Sequence, residues 1–104
     1  MRKTEIKLVH DKLVEIIKKE GLETEIEILP DLLHYQLRAN PNYCFFDLTR
    51  GWLSYKVQTY DRGETLVEKV GIEIKDETGR VDADTIKGHF YVWIEKLKTG
   101  PFGM

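Results

Sequence analysis

Apolar side chains recur along this chain at two periods, and each change of period marks an element boundary. Ile6, Val9, Leu13, Ile16 and Ile17 fall mostly three or four residues apart, with Lys7, Lys12, Lys18 and Lys19 mostly off that stripe. The spacing predicts an amphipathic helix from about Thr4, its N-cap, to about Glu20. Gly21 supplies a left-handed stop, and Leu22 is placed to fold back onto Ile17 in a Schellman ending. The strongest stripe lies near the other end of the chain. Ala83, Ile86, Phe90, Trp93, Ile94 and Leu97 line one side of a helix that Asp82 or Asp84 caps and Gly100-Pro101 stops. Taken alone, Gly88–Ile94 also reads as a strand, but the helical stripe continues on both sides of it.

Between these helices the period is two. Glu23, Glu25 and Glu27 alternate with Thr24, Ile26 and Ile28, a strand with one face in water, and Pro30-Asp31 turns the chain. A second strand sets Leu33, Tyr35 and Leu37 against His34, Gln36 and Arg38, and Asn40-Pro41-Asn42 ends it. The third, Tyr43 to Leu48, opposes Cys44, Phe46 and Leu48 to Tyr43, Phe45 and Asp47. Thr49-Arg50-Gly51 leads into a fourth, Trp52 to Tyr60, with Leu53, Tyr55 and Val57 facing away from Trp52, Ser54, Lys56 and Gln58. After Asp61-Arg62-Gly63 a fifth strand covers about Thr65 to Lys75, with Gly71 as a candidate bulge. Short links favour antiparallel neighbours. The expected fold is therefore α+β: a five-stranded, mostly antiparallel meander sheet with the N-terminal and C-terminal helices packed on one face. It forms a single domain over residues 1–104, with 101–104 as a loose tail.

Composition adds mainly exclusions. Lys+Arg 16 against Asp+Glu 18 leaves a net charge of −2, so no global field draws the chain to nucleic acid or an acidic membrane. No run approaches the ~20 apolar residues of a membrane helix, and the first residues lack an apolar signal core, so the expected location is cytoplasmic. Cys44 is the sole cysteine, which rules out an intrachain disulfide or a cysteine-built zinc site in one chain. It falls on the core face and reads as a buried, inert thiol. Charged residues are mostly Lys and Glu while Asn and Gln number two each, a bias that resembles hyperthermophile proteins. Phosphate-binding glycine loops are absent, and His10, His34 and His89 stand apart in sequence. No cofactor or resident metal is expected.

Two sets of residues carry candidate chemistry. Glu73-Ile74-Lys75 on an apolar strand, with Asp47 two strands earlier, resembles the PD-(D/E)xK nucleases. That resemblance implies Mg²⁺ held by Asp47 and Glu73, with Lys75 positioning the attacking water. The proline-aspartate part of the motif is missing before Asp47, which follows Phe45-Phe46. In a meander, moreover, a whole strand separates the two acids, roughly 10 Å at the usual spacing. The second set is the sheet face turned away from the helices, where Tyr43, Phe45, Trp52 and Val67 are interleaved with Arg38, Lys56 and Gln58. Aromatic residues and arginine are typical interface anchors. The expected role is a small non-enzymatic protein-interaction domain, self-associating as a homodimer through that face. Single-stranded nucleic acid is the alternative ligand for such a surface.

Overall fold

The computed structural model describes residues 3–49, 52–61, 64–73 and 82–99, with backbone only for 60–61, 64–70 and 99. In chain order its elements are α1 (Lys3–Lys19), β1 (Ile26–Ile28), β2 (His34–Leu37), β3 (Phe45–Thr49), β4 (Trp52–Asp61), β5 (Glu64–Glu73) and α2 (Ala83–Thr99). The strands form one sheet in the order β1-β2-β3-β4-β5, every neighbour antiparallel. This is the α+β meander with terminal helices that the two periodicities predict. Gly88–Ile94 is helical.

One end of each helix closes as its flanking residues dictate, whereas Thr4, expected as the N-cap of α1, lies within the helix. Gly21 takes φ +69°, its N–H donates to Lys18 O at 3.1 Å, and Leu22 N–H donates to Ile17 O at 3.0 Å. Those two bonds are the Schellman pair, and Leu22 and Ile17 are both buried beneath them. At α2 the cap is Asp82. One of its carboxylate oxygens accepts the N–H groups of Asp84 at 3.0 Å and Thr85 at 3.2 Å, while the other accepts the Thr85 hydroxyl at 2.7 Å.

The alternation in the strands sorts side chains cleanly. Tyr35, Leu37, Phe46, Leu48, Leu53, Tyr55 and Val57 are buried on one face, in the same cluster as Val9, Leu13, Ile16 and Ile17 of α1. From α2, Ile86, Phe90, Trp93, Ile94 and Leu97 join that cluster. Phe46 is its hub. Its ring lies 4.9 Å edge-on from Phe90, 5.8 Å from Trp93, 6.0 Å from a parallel Tyr55 and 6.5 Å from Tyr35. The buried Trp93 indole donates to Lys56 O at 3.1 Å, so its one polar group costs nothing to bury. Cys44 is fully buried here, and burial raises its thiol pKa, only partly offset by a backbone hydrogen bond at Gln58.

Three local expectations are corrected. Strand β1 starts at Ile26 rather than Glu23, because Leu22 O accepts the N–H groups of both Glu25 and Ile26 and winds the intervening residues into a turn. Tyr43 lies in a turn, not in β3, since Asn40 O accepts Tyr43 N–H at 3.3 Å and Cys44 N–H at 3.0 Å. Gly71 is no bulge: it pairs with Ser54 inside an unbroken register running from Trp52↔Glu73 to Asp61↔Glu64. The expected end of β5 at Ile74-Lys75, and the tail at 101–104, lie outside the described residues.

Two glycines test this account in opposite directions, because a Cβ built on either meets no atom within 4 Å. Gly21→Ala places a side chain in the left-handed region and is expected to cost about 1–2 kcal/mol. Gly88→Ala, inside α2, is expected to gain roughly 0.5–1 kcal/mol. Urea unfolding of both variants beside the parent measures each shift.

Candidate functional site

The outer face of the sheet is built by the residues that alternate with the core. Register lines them up in three rows across the strands. Gln36 (β2) pairs with Phe45 (β3), which pairs with Lys56 (β4). His34 pairs with Asp47, then Ser54, then Gly71. Thr49 pairs with Trp52, then Glu73. Among the described residues the exposed aromatics are Tyr43 and Trp52, at 45% and 53%, while Phe45 is half-buried.

Four of the five expected binding residues gather at one end. Lys56 Nζ sits 4.6 Å from the centre of the Tyr43 ring, a cation–π contact, and Phe45 stands directly opposite Lys56. Arg38, just past β2, has its guanidinium 3.9 Å from Glu27, which also accepts a bond from Gln36 at 2.9 Å. Trp52 is set apart. It lies four residues from Lys56 along β4, roughly 13 Å at strand rise, with the His34–Asp47–Ser54 row in between. Neighbouring strands thus carry two separate aromatic points rather than a continuous patch. The side chain of Val67 lies outside the described residues.

The acidic pair of the nuclease resemblance does not converge. Asp47 pairs with Ser54 and Ser54 with Gly71, so Glu73 is both two strands across and two residues along. That offset amounts to roughly 12 Å between backbones, against metal–oxygen distances of about 2.1 Å for Mg²⁺. Lys75 lies outside the described residues. Among the described residues no group of three or more His, Cys, Asp or Glu side chains is arranged to hold a metal ion.

The histidines also stay separate. His10 Nδ1 lies 3.4 Å from the Tyr35 hydroxyl, and His89 packs its ring 6.4 Å from Tyr55. His34 is different. Its Nδ1 is 2.5 Å from Asp31 Oδ2, and its Nε2 is 3.9 Å from Asp47 Oδ1. The Asp31 contact orients the ring and, in the neutral imidazole, sets the proton on Nδ1. The loop that brings Asp31 there is tightly specified. Leu33 N–H donates to Asp31 Oδ1 at 2.9 Å, Leu32 takes φ +62°, and the Tyr35 hydroxyl donates to Leu32 O at 3.1 Å.

The two carboxyls flanking His34 titrate in opposite directions. Burial raises Asp47, and the nearby His34 offsets this only in part. Slight burial also pushes Asp31 up, but the Leu33 amide and His34 together pull it below its ordinary value. Sequence reading missed this trio, although a Asp-x-x-His spacing across the turn carried half of the signal. The other half, Asp47 beside His34, needs the β2–β3 register.

No family model matches the chain, and no curated protein or solved structure matches it significantly.

A carboxyl whose pKa is raised on folding stabilises the fold below its unfolded pKa and loses that contribution as pH rises through the folded one. Ionised Asp47 therefore costs stability at neutral pH. Asp47→Asn is expected to raise the urea midpoint at pH 7, with the gain shrinking as pH falls through the carboxylate range. An equal gain at pH 3 and pH 7 contradicts the assignment.

Proposed function

We propose that the protein is a non-enzymatic interaction domain that pairs with a second copy of itself through the outer face of its sheet. The observation that carries this reading is Trp52, 53% exposed on β4 among polar neighbours rather than folded onto the core. A large aromatic held in water on a rigid strand is the residue type that interface centres favour.

The charge layout supports a copy of the same chain as the occupant. Lys56 marks one end of the face, where Arg38 is already paired with Glu27, and Glu73 stands opposite Trp52 at the other. In a two-fold, face-to-face stack with strands antiparallel between copies, each Lys56 lies toward the partner's Glu73. Trp52 then meets the partner's Tyr43 and Phe45. Five strands at their usual spacing and lengths give a face of roughly 500 Å² in plan, so the pairing belongs with weak, reversible associations.

Net charge −2, with Asp47 and Glu73 on the same face, weighs against single-stranded nucleic acid as the ligand. A different protein docking on the same anchors remains the alternative partner.

Light scattering across a concentration series is expected to show a monomer–dimer equilibrium that weakens with added salt. Trp52→Ala is expected to weaken it tenfold or more, the effect of truncating an interface anchor by about 1.4 kcal/mol or more, with the circular dichroism spectrum unchanged. A monomer at every concentration, or a dimer indifferent to Trp52→Ala, overturns the reading. Oligonucleotide binding that fades with salt assigns the face to nucleic acid instead.

A further inference from the structure

On the opposite side of the molecule, α1 and α2 leave a polar cleft along their seam. Lys12, Glu15, Ile16 and Lys19 of α1 and Lys87 and Tyr91 of α2 line it, enclosing about 140 Å³. Ile16 is buried and forms an apolar floor. Lys12, Lys87 and Tyr91 are half-buried, while Glu15 and Lys19 are exposed. Three lysines from two helices line it. Among the described residues counter-charge is sparse. Lys12 reaches Asp84 at 4.0 Å, and that aspartate is 91% exposed. Among the described residues, Lys19 and Lys87 have no carboxylate within 4.0 Å, and Glu15, although on the wall, makes no ion pair. The neighbouring Lys98 shows the contrast, being engaged by both Glu20 and Glu95.

Like charges drawn together in a recess repel one another unless an anion sits between them. Lysine donates from rotatable points, which suits a compact oxyanion better than a planar carboxylate. The Tyr91 hydroxyl can add a neutral donor. We infer that this cleft is a binding site for a small doubly charged oxyanion of the phosphate type, either the free ion or a phosphomonoester, held by Lys12, Lys19 and Lys87. The site is independent of the outer sheet face. It bridges the two helices, so an occupant also clamps α1 to α2. Glu15 works against the ligand and keeps affinity modest.

Titration of the labelled protein with millimolar inorganic phosphate, and separately with methyl phosphate, tests this by amide chemical shifts at constant ionic strength. Saturable shifts are expected at residues 12–19 and 87–91, and not on β3 or β4. Lys87→Ala is expected to weaken binding severalfold. Glu15→Gln is expected to tighten it by roughly two- to fivefold, the range an exposed charge pair spans. That gain cannot arise from a damaged fold. Equal binding of both probes assigns the cleft to phosphomonoesters, and binding of inorganic phosphate alone assigns it to the free ion. Shifts that never saturate, or that Glu15→Gln leaves unchanged, overturn the inference.

Discussion

The contact on which this architecture depends is the ring of Phe46 against Phe90 and Trp93. Phe46 stands on the central strand of the meander, and Phe90 and Trp93 stand on successive turns of α2. Through them one helix is fixed in height and direction over three strands. The Trp93 indole adds a directional bond to the backbone of β4, so α2 cannot slide along the sheet without leaving a buried donor unpaired. Once α2 is seated, α1 has one place left, beside it over β2, where His10 approaches Tyr35 and Glu20 meets Lys98. Everything turned away from that aromatic junction is left as the outer face.

The fold was legible because its local signals agree with one another. The α2 stripe, the Gly21-Leu22 ending and the alternation in β2, β3 and β4 each point to the same core, and every residue assigned to a stripe or core face there is buried or half-buried. What could not be read was register and turn curvature. Glu23–Glu25 alternates as a strand should, yet the backbone leaving a Schellman cap is already committed to Leu22 O. Tyr43 carries strand chemistry, but Asn40 O captures its amide in the turn. Such competition between hydrogen-bond partners leaves no trace in hydrophobic pattern.

The candidate site divides along the same line. Which face Arg38, Phe45, Trp52 and Lys56 occupy follows from period alone. Their grouping does not, because moving β4 by two residues against β3 would keep the faces and bring Trp52 to Asp47 instead of Thr49. The separation of Asp47 from Glu73 follows mainly from strand order, to which register adds two residues, whereas the joining of His34 and Asp47 is a consequence of register alone.

Because the strands follow one another in space as they do in sequence, most of the sheet can assemble by short-range closures, each on the microsecond scale of a hairpin. The helix pair is the exception. Glu20 and Lys98 meet across 78 positions of chain, so the search that joins the two ends is the long one and carries the largest loop-closure entropy. A nascent chain leaving the ribosome meets the same ordering. The sheet can emerge and pair while the part of its apolar side that α2 covers stays open to solvent, and protection there arrives only when α2 is released. The interval between those events is when this molecule is most exposed to aggregation or to capture by a chaperone.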